Sequence, residues 1–182
     1  MKQQRTVGNV LRREIAVTVH DHAMVPADIV FDVLANLPNH MEWGGAEAST
    51  LLSMQAPIGL ATVGTEFIST AEDRICRMQD SSVVTEALRP RTFERVTESA
   101  LESKKYGTRA GWLLVHRYEI ESKVDQSEIT YTCRLVRASG LPGVLSMFGF
   151  PLLRSFATRE WARANRGGLR RLIAAAEAAP RD

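Results

Sequence analysis

Apolar and polar residues alternate from Arg12 to His20 (RREIAVTVH), with Ile15, Val17 and Val19 on one side. A period of two predicts a half-buried strand. The period then changes. In VPADIVFDVLANL the residues Ile29, Val30, Val33, Leu34 and Leu37 recur at helical spacing, and Pro26 suits a first helical position. Pro38 stops this helix. NHMEWGG then predicts a short turn or second helix ending at Gly44 and Gly45.

From about residue 46 to residue 138 the chain falls into six alternating segments: AEASTLLSM, GTEFISTA, RICRMQDSSVVTEAL, TFERVTES, RAGWLLVHRYEIESK and EITYTCRLVRA. Short turn signals separate them, among them Ala56-Pro57-Ile58-Gly59 and Arg89-Pro90. Consecutive strands with short connections predict an antiparallel meander. After Leu141-Pro142-Gly143 the pattern becomes helical, and residues 151–179 predict one long helix. Helices flanking a run of strands give an α+β fold in which the long helix lies on one face of a curved sheet.

The long helix changes stripe. Leu153, Phe156, Ala157, Trp161 and Ala164 share one face, and Leu169, Leu172, Ile173 and Ala176 share another. The change falls at Gly167-Gly168, where glycine costs roughly 1 kcal/mol per residue relative to alanine. A kink or local break is expected there, with the two halves burying different faces.

Composition narrows the class. The chain has 182 residues, 45% apolar and 24% charged, enough for one domain with a sizeable core. A net charge of +2 does not call for nucleic acid. Cys76 and Cys133 lie far apart and outside any CxxC pattern, which points to reduced thiols in a cytoplasmic protein. The first residues, MKQQRTVGNVLRREI, lack the apolar core of a signal peptide, and no apolar run is long enough to span a membrane. The chain has no GxSxG, no phosphate-binding Gly-Lys-Ser/Thr loop, no dinucleotide fingerprint and no HExxH. Hydrolase, kinase and nucleotide-dependent oxidoreductase chemistry therefore have no support in the sequence, and no cofactor is expected.

The order of elements resembles the START-like helix-grip fold, the superfamily of polyketide cyclases and dehydratases (the SRPBCC group). VPADIVFDVLANLPNHMEW is similar to its opening helices, VGTEF to its glycine-containing strand, VTEALRPRTFE to its strand-turn-strand, and LRRLIAAAE to its helix ending. Arg89 stands where the first proline of a pair is usual. The resemblance covers residues 12–179 as one ligand-binding domain and leaves residues 1–11 as a loose arm. It implies a curved seven-stranded antiparallel sheet and two short helices wrapped around a long C-terminal helix. A cavity for small apolar or amphipathic molecules would lie between sheet and helix, faced by the first half of that helix. Some members are cyclases or dehydratases and others carry lipids, so fold alone does not fix function.

His116 is the candidate that the pattern singles out. It interrupts the row Trp112, Leu114, Tyr118, Ile120, while the opposite row turns polar at Arg117, Glu119 and Glu121. The histidine row therefore faces inward, beside Ile129, Tyr131, Cys133 and Leu135 of the next strand. A buried imidazole needs a hydrogen-bond partner. Tyr118, Tyr131, a water or a ligand would serve. An imidazole in a cavity could also act as the acid–base group of a cyclase or dehydratase.

Arg95 follows the direction of Phe93. If Phe93 points inward, Arg95 and Thr97 do too, and Arg95 then needs a carboxylate or an anionic ligand. Glu66 and Glu86 are the nearest acids by strand order, although an Arg95 facing water is equally compatible with the text. The expected ligand contacts are Trp43, Glu66, Arg95, Trp112, His116, Tyr118, Tyr131 and Phe148, with Trp43 and Phe148 near the cavity mouth.

Other features have plainer readings. His20 and His22 point away from the buried row of the first strand, and with Cys76, Cys133 and His40 they show no zinc-ligand spacing, so no metal is expected. The apolar segment 141–156, LPGVLSMFGFPLLRSF, packs the start of the long helix or forms a gate or lipid-touching patch through Met147, Phe148 and Phe150. Arg159, Arg163, Arg166 and Arg170 line one helix face, the solvated side or a surface for an anionic membrane. No aromatics interleave with them, so nucleic acid is not expected as a partner. Nothing in the pattern points to a particular oligomeric state. The leading expectation is a binder of an apolar or aromatic small molecule. A cyclase or dehydratase using His116, and a lipid-transfer or membrane-associated module, are the alternatives.

Overall fold

The computed structural model describes residues 11, 13–44, 50–140 and 151–180, with residues 151–154 described by their backbone. Residues 1–10 of the expected arm and Met147, Phe148 and Phe150 lie outside the described residues. Seven strands run in chain order: β1 (Ile15–Ala23), β2 (Thr50–Gln55), β3 (Glu66–Glu72), β4 (Cys76–Leu88), β5 (Thr92–Ser103), β6 (Arg109–Lys123) and β7 (Gln126–Ala138). Helix α1 (Ala27–Ala35) and the short α2 (His40–Trp43) lie between β1 and β2, joined by a 3-10 turn at Leu37–Asn39. Helix α3 (Pro151–Ala178) follows the sheet.

The strands form one antiparallel sheet in the order β1-β7-β6-β5-β4-β3-β2. The helix-grip architecture implied by the sequence is thus observed. Strand β1 shows why the pattern was readable. Ile15, Val17, Val19 and Ala23 are buried, while Ala16, Thr18, His20 and His22 are exposed. In α1 the buried side chains are Ala27, Val30, Phe31, Leu34 and Ala35. Pro26 sits one residue earlier than expected, as the N-cap, and its carbonyl accepts from the Val30 amide at 3.4 Å. Proline's missing N–H costs nothing at a position that has no intrahelical acceptor.

Leu169, Leu172, Ile173 and Ala176 of α3 are buried in the main core with Val17, Val19, Val30, Leu34, Ile120 and Ile129. Ile15, Leu135, Ala138 and Ala157 form a smaller cluster, and Trp161 packs against both. The expected local break is corrected: α3 is helical without interruption through Gly167-Gly168. Glycine lowers helix propensity without removing a backbone hydrogen bond, so packing of the neighbouring turns outweighs its cost. Phe156, placed by its spacing in the buried stripe, is 54% exposed. Ala157 of the same stripe is buried and Trp161 half-buried, as expected.

On the outer face, Arg117 meets three acids: Glu86 at 2.5 Å, Glu94 at 3.2 Å and Glu119 at 3.2 Å. A register shift between Val84 and Glu86 makes this possible. Val84 is fully buried on the inner face, and strict alternation would turn Glu86 inward too. A bulge adds one residue and reverses that parity.

Candidate functional site

The concave face of the sheet, α2 and the middle of α3 enclose a cavity of about 240 Å³. Inward residues alternate along each strand: Phe67, Ser69 and Ala71 from β3; Met78, Asp80 and Ser82 from β4; Arg95, Thr97, Ser99 and Leu101 from β5. Strand β6 adds Trp112, Leu114, His116 and Tyr118, and β7 adds Tyr131 and Cys133. Leu51 and Met54 of β2, His40 and Trp43 of α2 with the adjoining Gly44, and Trp161, Asn165, Gly168 and Leu169 of α3 complete the wall. A cavity of roughly 150 Å³ is enough for benzene. This one is larger than that.

The short helix α2 carries two of the lining residues because it closes tightly. The Gly44 amide donates to the His40 carbonyl at 2.6 Å. A Cβ on Gly44 would lie 2.5 Å from that same oxygen, closer than real side chains come, so glycine is required by contact there.

His116 and Arg95 are cross-strand partners on β6 and β5. His116 Nδ1 lies 2.7 Å from the Tyr131 hydroxyl. Tyr131 stacks on Tyr118, with ring centroids 4.4 Å apart. Burial, and then the nearby Arg95 charge, hold His116 well below the usual histidine range. Burial also pushes both tyrosines up, Tyr131 far above its ordinary value. The imidazole is therefore neutral and the phenols are protonated at neutral pH. Among the alternatives open in the sequence, Tyr131 is the partner of His116.

His40 has a defined tautomer. Its Nε2 lies 2.7 Å from the Leu34 carbonyl, an acceptor without a proton, so Nε2–H donates. In the neutral ring Nδ1 is then an acceptor, and Arg95 Nη1 lies 3.5 Å from it. Burial, and next the Arg95 charge, bring His40 down to about 3. His40 also packs against Trp43, with ring centroids 4.3 Å apart.

Arg95 faces inward, as the inward Phe93 requires. Its guanidinium lies over the Phe67 ring at 5.4 Å. The two acids nominated as its partners are corrected. Glu66 is exposed, because Phe67 takes the inward position of β3, and Glu86 is drawn to Arg117 on the outer face. Asp80 is the acid that feels the Arg95 charge. Its burial raises the carboxyl above its ordinary value, against the effects of a hydrogen bond from Ser99 and of Arg95. Asp80 and His40 were missed in the sequence. Asp80 shares parity with Cys76, Met78 and Val84, so a polar residue in an apolar row was visible there. Four residues of α2 give no period from which His40 could be read.

Of the expected contacts, the structure brings Trp43, Arg95, Trp112, His116, Tyr118 and Tyr131 to this cavity. Glu66 is outside it, and Phe148 lies outside the described residues. His20 and His22 are exposed on β1, and no group of three or more metal-ligating side chains occurs among the described residues. Arg159, Arg163, Arg166 and Arg170 are exposed on α3, and Arg170 pairs with Asp21 at 3.6 Å. No helix among the described residues is long and apolar enough to cross a membrane.

Both cysteines are free and buried. Burial raises Cys76 and pushes Cys133 up to about 12. Since the thiolate is the reactive form, neither thiol is expected to react with Ellman's reagent within minutes in the native protein, and both should react in denaturant. A fast native thiol would contradict this placement.

No sequence-family model matches the chain, and no curated protein sequence matches it. Solved structures do. CV1439 from Chromobacterium violaceum is 9% identical, with a TM-score of 0.61 over 90% of this chain and 98% of that one. Mll3558 from Rhizobium loti is 15% identical, with a TM-score of 0.60 over 88% and 96%. Ara h 8.0201 is 10% identical, with a TM-score of 0.53 over 90% and 97%. At these identities the likeness is one of architecture, and the chain shares the helix-grip fold with all three.

Proposed function

We propose that the protein binds a compact aromatic or polycyclic molecule between the sheet and α3. The observation that carries this reading is the cavity of about 240 Å³ walled by Trp43, Phe67, Trp112, Tyr118, Tyr131 and Trp161. Burial of apolar ligand surface would supply most of the affinity, at roughly 25 cal/mol per Å² before the costs of association, and a few polar groups would orient the ligand.

All three tryptophans of the chain line this cavity, which provides a direct readout. Titration with naphthalene is expected to change tryptophan emission saturably, with micromolar affinity. Filling the cavity by Leu114→Trp should abolish the response to ligand. No saturable change with any one- or two-ring aromatic would overturn the reading.

A cyclase or dehydratase acting through His116 is the second reading, favoured by the 2.7 Å contact that leaves one nitrogen of a neutral imidazole on the cavity wall. Its depressed pKa makes it a weak base, so binding ranks first. Turnover of a polyketide-like substrate that His116→Gln loses, with ligand affinity retained, would reverse that ranking.

A further inference from the structure

Three buried side-chain atoms among the described residues have no hydrogen-bond partner: Trp43 Nε1, Asp80 Oδ1 and Arg95 Nε. All three residues line the same cavity. Native interiors leave few polar atoms unpaired, because each costs on the order of 1–3 kcal/mol and charged groups cost more. Three around one cavity, one of them on a charged guanidinium, point to a site that lacks its partner.

The chemistry of these atoms is specific. Two are donors, and one donor belongs to a guanidinium that stays charged at any working pH. Arg95 makes no ion pair within 4 Å among the described residues. Its contacts are the neutral His40 at 3.5 Å and the Phe67 ring at 5.4 Å. His40 touches both Arg95 Nη1 and the Trp43 ring, so Arg95 and Trp43 border the same part of the cavity. Asp80 is a weak counter-charge, since burial favours its neutral form.

We infer that the ligand is an aromatic acid whose carboxylate is seated on Arg95 and Trp43, with its ring system against Trp112, Tyr118 and Tyr131. This rests on the cavity reading above and names the class of molecule that the cavity takes. Asp80 Oδ1 is then an acceptor for a hydroxyl substituent on the same ligand. His40 is a positioning residue: its bond to Leu34 fixes the ring that holds Arg95 Nη1 and so orients the guanidinium at the cavity.

Three probes of equal ring size test this: 2-naphthoate, 2-naphthamide and naphthalene, each titrated at pH 7.5 by calorimetry and tryptophan emission. The acid is expected to bind at least tenfold more tightly than the amide. Arg95→Met should reduce that preference to about threefold or less while naphthalene binding persists. Trp43→Phe, which keeps the ring and removes one donor, should weaken the acid more than the amide, and it serves if Arg95→Met fails to fold. Equal binding of acid and amide, or a preference that survives both substitutions, overturns the inference and leaves the aromatic cavity standing. Failure of all three probes overturns the cavity reading along with it.

Discussion

Acidification from pH 7 to pH 5 is expected to cost this protein stability well before most carboxylates titrate. His40 and His116 are held neutral in the folded chain, His40 down to about 3 and His116 well below 6.5. In the unfolded chain both take up a proton near pH 6.5. Between these limits the unfolded state binds more protons, so stability rises with pH and falls as pH drops through 6.5. Each such histidine contributes at most about 1.4 kcal/mol per pH unit. Asp80 acts in the opposite sense. Its raised pKa gives the folded state the extra proton in a window above 3.8, which offsets part of the loss at lower pH. Urea unfolding at pH 7, 6 and 5 should show a fall of about 1–2 kcal/mol per unit, against a typical total of about 5–15 kcal/mol. His40→Gln should remove about half of that slope. A flat profile, or the same slope in His40→Gln, would show that the ring is not buried as described.

Phe93→Ala is expected to be the most damaging single truncation. Phe93 is fully buried and meets Phe31 edge to face, with centroids 6.1 Å apart at 80°. That contact ties β5 to α1 beneath the cavity. Loss of a buried phenylalanine costs about 3–5 kcal/mol, from lost transfer energy and the void left behind. The lost ring pair accounts for about 0.5–1.5 kcal/mol of interaction. Phe93→Leu, which refills most of the void, should cost less than half as much. Leu88→Ala, at a side chain 58% exposed, should stay within about 0.5 kcal/mol. A midpoint shift worth less than 1 kcal/mol in Phe93→Ala would contradict the described packing.

Reading the site from sequence succeeded where a strand has one wet and one dry face. The row Trp112, Leu114, His116, Tyr118 was separable from Arg117, Glu119 and Glu121 because burial selects every second residue. It failed at bulges and in short helices. Glu86 was a reasonable partner for Arg95 until the extra residue after Val84 turned it toward Arg117. Glu66 lost its place to Phe67 by one position of register. His40 had no period to betray it, and its role depends on Leu34 and Arg95, 6 and 55 residues away.

The sequence by itself determined the element order, the antiparallel meander, the long closing helix and the inward direction of His116. These follow from local periodicity, which each segment carries alone. Only the tertiary structure decided that α3 passes unbroken through Gly167-Gly168, that Arg95 turns inward, and that Asp80, His40 and Trp43 meet it there. Those outcomes depend on which side chains from distant segments share one volume. A buried charge is acceptable or costly according to neighbours that no local pattern names.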